Sequence, residues 1–264
     1  LGVCAGKPMA MPRIALIHAT PVAIEPIREA FAAGWPQARI THLLDDSLST
    51  DLAAEGSAGS RMPERFVTLA RYSAGCGADA ILFTCSAFGE AIEAARGAVE
   101  IPVLKPNEAM FDEALEAGRR IGLISTFEPS IPSMVRELEE EARRRSVAIE
   151  IRSRSVPNAL AALQRGDADL HDQLIAAAGA EFGDCDVVML GQFSMARAAG
   201  RFRPCPGRRL LTSPGSAVAR LRGATQPGSL PYVAVPHLRG GTDNLFHYAS
   251  YLGGGWNPFI VNSD

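Results

Sequence analysis

The stretch Ala78–Ile92, ADAILFTCSAFGEAI, joins an apolar run to a cysteine and then to an alanine-rich segment. The apolar run is typical of a buried strand, and the segment after Cys85 is typical of a helix. In open α/β sheets, ligands bind at the carboxyl ends of the strands, where such a junction lies. Cys85 is therefore a candidate functional residue, although a free cysteine is often simply buried in a core.

The composition narrows the class of protein. A chain of 264 residues with 47% hydrophobic and 21% charged residues is typical of a soluble globular protein. A net charge of −3 gives no reason to expect nucleic acid or an anionic membrane as a partner, and no apolar run approaches the ~18 residues of a membrane span. The five cysteines show no metal-type pairing, so we expect a reduced, cytoplasmic protein.

The chain contains an internal repeat. Three pairs of segments match in the same order: RIALIHATP (13–21) with RIGLISTFEP (120–129), ADAILFTCSAFGEA (78–91) with CDVVMLGQFSMARA (185–198), and VLKPNEAM (103–110) with LLTSPGSAV (210–218). The first pair is offset by 107 residues, and the second pair aligns Cys85 with Gln192 at the same offset. We infer two copies of one α/β unit.

Each copy is predicted to alternate strands and helices, which favours a parallel sheet covered on both faces. The predicted strands cover residues 13–18, 39–44, 78–84, 101–104, 120–125, 147–152, 186–190 and 209–211. The predicted helices cover residues 23–33, 63–76, 87–96 and 107–118, with an amphipathic helix within 133–146.

The repeat divides the chain into four segments. We expect a leader at 1–11, a first half at 12–118, a second half at 119–222 and an atypical tail at 223–264. The tail is rich in Gly, Pro and aromatic residues and poor in periodicity, which predicts a loosely docked or disordered extension. No phosphate loop, dinucleotide fingerprint or metal-binding motif is present, so no cofactor and no metal are expected.

The repeat resembles the aspartate/glutamate racemase superfamily, which includes glutamate, aspartate and hydantoin racemases, maleate isomerase and arylmalonate decarboxylase. The resemblance covers roughly residues 12–222 and rests on the duplication and on the ordered motifs HLLDDSL, LFTCSAFG, GLISTFEPS and TSPGSAVARLR. It implies two flavodoxin-like halves related by pseudo-twofold symmetry, with a small carboxylate substrate between them. It also implies cofactor-independent chemistry in which one cysteine from each half moves protons at the substrate's α-carbon; a homo-oligomer is compatible with it.

The position of Cys85 carries its own physical argument. A thiol at a helix N-terminus lies near unpaired N–H groups and the positive end of the helix dipole, which favour the thiolate. Ser86 is the expected N-cap. The same N–H groups would bind a substrate carboxylate and the enolate-like charge of the reaction. The remaining cysteines precede strands or lie in the leader and are predicted to be structural: Cys4, Cys76, Cys185 and Cys205.

Gln192 stands where the resemblance implies the second cysteine. An amide cannot exchange a proton with carbon, but it can donate hydrogen bonds to a carboxylate or an oxyanion. A symmetric two-cysteine racemase is therefore excluded, and three interpretations remain open. The enzyme acts on one face of its substrate, as a decarboxylase or isomerase would; a racemase recruits another base, with His18 and Glu108 best placed; or the fold binds a carboxylate without turnover.

Polar residues at the strand ends complete the predicted site. Hydroxyl and amide groups there suit a carboxylate, although Ser and Thr are equally common as plain N-caps and a lone histidine is more often structural. With Cys85 as the catalytic residue, the predicted substrate-binding residues are His18, Thr20, Ser86, Ser125, Thr126, Gln192 and Ser194.

Overall fold

The computed structural model describes residues 11–55 and 61–225, so most of the predicted leader and nearly all of the predicted tail lie outside the described residues. Two four-stranded parallel sheets form the centre of this part, with strand orders β2-β1-β3-β4 and β6-β5-β7-β8. The strands are β1 Arg13–His18, β2 Arg39–Leu44, β3 Ala80–Phe83, β4 Val103–Leu104, β5 Arg120–Ser125, β6 Glu150–Ser155, β7 Val187–Leu190 and β8 Arg209–Thr212.

Helices connect the strands and cover the sheets. The α-helices of the described residues are α1 Ile24–Gly34, α2 Ser47–Glu55, α3 Met62–Gly75, α4 Gly89–Arg96, α5 Glu108–Ala117, α6 Ile131–Arg144, α7 Pro157–Gln164, α8 Ala168–Gly179 and α9 Ser213–Ala224. Short 3-10 helices follow β1, β3, β5 and β7, at Pro21–Ala23, Ser86–Phe88, Glu128–Ser130 and Phe193–Arg201. Another, Ala180–Phe182, follows α8. Within the described ranges, no helix is both long and apolar enough to cross a membrane.

The two sheets are copies of one topology, which confirms the predicted α/β class and the duplication. In each sheet the first strand of the half pairs in parallel with the second and third strands, and the third pairs with the fourth. β3 and β7 are buried along their whole length, as expected of central strands covered on both faces.

The predicted strand at 147–152 is displaced by three residues in the structure. Ser146 has a positive φ of 55°, and Val147 donates its N–H to Ala142 at 2.9 Å. This Schellman-type ending holds Val147 in the C-terminal turn of α6, so its apolar character does not mark a strand. β6 begins only at Glu150, and it is a largely exposed strand at the edge of its sheet.

The last helix of each half packs on the sheet of the other half. α9 places Ala217, Val218 and Leu221 in one core cluster with α1 and the first sheet. α5 places its apolar residues in a cluster with α6 and the second sheet: Met110, Phe111, Ala114 and Leu115. We call this arrangement, in which α5 and α9 each pack on the sheet of the other half, the helix exchange. Burial of each large apolar side chain contributes roughly 1.5–3 kcal/mol to the free energy of unfolding, so the helix exchange holds the two halves together.

Polar contacts reinforce the helix exchange. Ser213, at the start of α9, donates its hydroxyl to Asn107 Oδ1 just before α5, at 2.6 Å and fully buried. Asp112 on α5 forms ion pairs with Arg145 after α6 and with Arg220 on α9. Burial nevertheless raises the pKa of the Asp112 carboxyl.

Candidate active site

Cys85 lies at the carboxyl edge of the first sheet, as predicted. It follows β3 in an extended conformation (φ −118°, ψ 124°) and immediately precedes the 3-10 helix Ser86–Phe88, after which α4 begins. The predicted N-cap role of Ser86 is wrong, because Cys85 itself is the cap residue and no side chain caps this helix. Ser86 is the first helical residue instead.

The Cys85 thiol is half-buried, and burial raises its pKa. The Ala87 backbone N–H, which bonds to the sulfur, lowers the pKa by a smaller amount. Desolvation thus outweighs the helix N-terminus, which opposes the predicted thiolate. A thiol whose pKa is raised in this way is suited to donating a proton.

His18 ends β1 and is completely buried. Its Nδ1 lies 2.9 Å from Thr84 Oγ1, and its Nε2 lies 3.0 Å from Nδ1 of His42 on β2. Burial lowers the pKa of His18 to about 4, and His42 adds to the shift. His18 is therefore neutral at pH 7, and both of its ring nitrogens are engaged within the first half.

His18 and Cys85 line one narrow void at the sheet edge. Apolar residues close most of it, and the stacked rings of Phe66 and Phe83 lie 4.9 Å apart. The void has no room for the centre of a water molecule. This void is therefore too small to hold a substrate, although Cys85 itself is partly exposed.

The second half has a hydrogen-bonded cluster at the equivalent edge. The Gln192 side chain contacts Ser125, Thr126 and Ser130, all of which are buried. In this structure the Gln192 amide, predicted to donate to a substrate carboxylate or an oxyanion, is bonded within the protein. Ser130, the last residue of the GLISTFEPS motif, was not among the predicted site residues.

The remaining predicted residues lie beyond the strand ends or at the starts of helices. Thr20 precedes the 3-10 helix Pro21–Ala23 and makes no capping bond with its side chain. Ser194 is buried in the 3-10 helix Phe193–Arg201. Glu108, the other candidate base, is held in an ion pair by Arg96 at 2.5 Å.

A cavity of about 430 Å³ is lined by residues that follow β2 and by residues of α3, and Cys85 is not among them. Its lining is charged, and Arg65 already bridges Asp45 at 2.8 Å and Asp51 at 2.5 Å across it. The His, Cys, Asp and Glu residues of the described ranges form no group of three or more that could hold a metal ion.

Comparisons with known proteins agree with the duplicated fold. The family model described as Asp/Glu/Hydantoin racemase matches residues 18–221. No curated protein gave a match. Many solved structures share the fold.

Three of these structures show the extent of the likeness. An aspartate racemase homologue from Pyrococcus horikoshii OT3 has a TM-score of 0.62 and 14% identity, over 80% of this chain and 98% of that one. Allantoin racemase from Klebsiella pneumoniae has a TM-score of 0.59 and 18% identity, over 81% and 87%. Unliganded arylmalonate decarboxylase has a TM-score of 0.55 and 19% identity, over 83% and 98%. The family match spans most of both halves, and the chain therefore belongs to the Asp/Glu/Hydantoin racemase family.

Proposed function

We propose that this protein is a cofactor-independent enzyme of the racemase/isomerase class. Its Cys85 transfers a proton at a carbon next to a carboxylate, in a small amino-acid-like or dicarboxylate substrate. The observation that carries the proposal is the position of Cys85, a thiol at the carboxyl end of a central strand in a chain of the racemase family. Ligands of open α/β sheets bind at this edge.

The environment of Cys85 suits a proton donor. In a racemase or isomerase reaction the α-proton first leaves to a base other than the neutral thiol, and the electron pair of the broken C–H bond stays on the α-carbon. The Cys85 thiol then delivers its proton to that carbon, and a thiolate remains, which regains a proton from the base or from water. The Ala87 N–H, which already bonds to the sulfur, stabilises that thiolate. A positioned acid of this kind contributes about 10²–10⁴-fold to a rate.

A one-sided decarboxylase of malonate-type acids is the second candidate, and Gln192 favours it. An amide has no proton to exchange with carbon, so the two halves cannot act as equivalent acid–base groups. In this reaction the bond between the α-carbon and one carboxylate breaks, and carbon dioxide leaves. The electron pair stays on the α-carbon, which takes the proton of the Cys85 thiol; the thiolate then regains a proton from water.

Incubation with candidate substrates in deuterated water tests the proposal. Amino acids, malonates and hydantoins are offered to the wild type, to Cys85→Ala and to Cys76→Ala. Cys76→Ala is the control, because Cys76 is exposed and precedes β3, whereas Cys85 follows it. Deuterium at the α-carbon of a recovered amino acid or hydantoin indicates a racemase or isomerase, whereas a deuterated product of one configuration with loss of carbon dioxide indicates a decarboxylase.

The two variants decide whether Cys85 is the acid–base group. Cys85→Ala should lower turnover by at least about 100-fold, and Cys76→Ala should leave it unchanged. Saturable binding of a carboxylate without deuterium incorporation would identify a non-catalytic binder, and the enzyme proposal would then be wrong.

A further inference from the structure

The Gln192 carboxamide makes four hydrogen bonds inside the second half. Its Oε1 accepts from the Thr126 backbone N–H at 2.9 Å and from Thr126 Oγ1 at 3.4 Å. Its Nε2 donates to Ser125 Oγ at 2.6 Å and to Ser130 Oγ at 3.1 Å. A primary amide has two acceptor sites and two donor hydrogens, so this side chain is fully satisfied.

The orientation of the amide is fixed by chemistry. A backbone N–H can only donate, so the Gln192 atom that faces Thr126 N must be the oxygen. The Ser125 and Ser130 hydroxyls can both donate to the Phe127 carbonyl, at 2.9 and 2.7 Å, and they also lie 3.2 Å from each other, where either can donate. Ser125 Oγ accepts from the Phe127 backbone N–H at 3.1 Å as well. Because the Gln192 nitrogen can only donate, both serines meet it with a lone pair.

These groups form a subsite with a specific shape. It offers a backbone donor on one side and two hydroxyl acceptors on the other, which complements a planar –C(=O)NH₂ group. A carboxylate in the same place would set an oxygen lone pair against two serine lone pairs. Ser125, Thr126 and Ser130 are buried and Gln192 is half-buried, so water can solvate only part of a group placed there.

We propose that the second half carries a primary-amide subsite, formed by Ser125, Thr126 and Ser130, that the chain fills with its own Gln192 carboxamide. This subsite disfavours carboxylates. The predicted role of Ser125, Thr126 and Gln192 as carboxylate-binding residues is replaced by this arrangement. The proposal holds whichever reaction Cys85 performs, since it concerns binding alone.

Removal of the Gln192 carboxamide should leave the subsite open to an added amide. Gln192→Ala should lower the thermal midpoint, and acetamide should restore it in a saturable way at roughly 10–100 mM, as expected of a four-atom ligand. Sodium acetate, compared with sodium chloride at equal ionic strength, should bind at least tenfold more weakly. Gln173→Ala, which removes an exposed amide on α8 that bonds to Asp169, is the matched control and should show no saturable rescue.

Gln192→Glu tests the same subsite without opening a cavity. The introduced carboxyl has the same shape but cannot donate to the serines unless it is protonated. The variant should therefore be less stable than the wild type at pH 7.5, and the gap between the two midpoints should narrow as the pH falls toward 5. This measurement decides the question if Gln192→Ala does not fold.

Three results would overturn the proposal. Acetate that rescues Gln192→Ala as well as acetamide does would show that the serine hydroxyls turn to bind anions. A folded Gln192→Ala that neither ligand rescues would show that no subsite exists. A Gln192→Glu variant as stable as the wild type at pH 7.5 would show that the donor pattern is not enforced.

Discussion

Acidification from pH 7 to pH 4 should destabilise the fold through the buried imidazole of His18. Burial lowers the pKa of His18 to about 4 in the folded chain, against about 6.5 in the unfolded chain. Below pH 6.5 the unfolded chain binds a proton that the folded chain does not, so stability is complete above pH 6.5 and is lost as the pH falls toward 4. A separation of about 2.5 pH units, at roughly 1.4 kcal/mol each, gives a limiting loss of about 3.5 kcal/mol, of which about 3 kcal/mol is reached at pH 4, where His18 of the folded chain is half protonated.

Urea unfolding of the wild type and of His18→Gln, at steps from pH 7.5 to pH 4, measures this loss. Between pH 6.5 and pH 4 the wild type should lose about 3 kcal/mol more than the variant, or roughly 6–12 °C in thermal midpoint. The Asp112 and Glu137 carboxyls, whose pKa values burial raises, titrate in both proteins and cancel in the difference. His42→Gln removes one cause of the low pKa of His18 and should give an intermediate loss. Equal losses in the wild type and in His18→Gln would refute the reasoning.

Three further changes have definite expected outcomes. Iodoacetamide at pH 7 should modify the exposed Cys76 faster than Cys85, because burial raises the pKa of the Cys85 thiol. Peptide mapping at pH 7 and pH 9 measures the two rates, and rapid modification of Cys85 at pH 7 would contradict the expectation. Gln192→Cys should lower the free energy of unfolding in urea by about 1–3 kcal/mol, because the buried partners of the amide are left unpaired. The same variant should show only weak racemisation when each enantiomer is incubated in deuterated water and analysed by chiral chromatography. Free racemisation by the wild type would show that another residue supplies the second base. Gly122→Ala should lower the free energy of unfolding by about 1–3 kcal/mol, because the added methyl group would lie 2.5 Å from the Phe182 ring. Gly200→Ala has open space around it and should change that free energy by no more than about 0.5 kcal/mol. Equal effects of the two substitutions would contradict the packing.

The sequence predicted the features that depend on local pattern. β1, β2 and β5 have the predicted bounds because each is an apolar or alternating run that ends at a turn. The offset of 107 residues aligned Cys85 with Gln192, and the structure places both at the start of a 3-10 helix after a central strand. Such positions follow from the order of elements along the chain.

The features that depend on contacts between distant residues were not predicted. A cysteine at a helix N-terminus suggests a thiolate, but the burial that raises its pKa comes from packing at the sheet edge. A glutamine at the position of the second cysteine suggested a donor to a carboxylate or an oxyanion, but the hydroxyls that its amide contacts lie 62 and 67 residues away in the chain. Periodicity likewise could not show that α5 and α9 each pack on the opposite sheet.

The helix exchange also bears on how the chain folds as the ribosome makes it. The first sheet is complete once Leu104 has been synthesised, but the face that α9 covers stays open until Leu221 emerges. At about 5–20 residues per second, the intervening segment takes roughly 6–23 s to make. During that interval a nascent chain exposes apolar residues of the first sheet, and we expect it to need protection from aggregation. The bond from Arg222 Nη1 to the Gly34 carbonyl, 3.1 Å long, joins the last part of the core to its first helix.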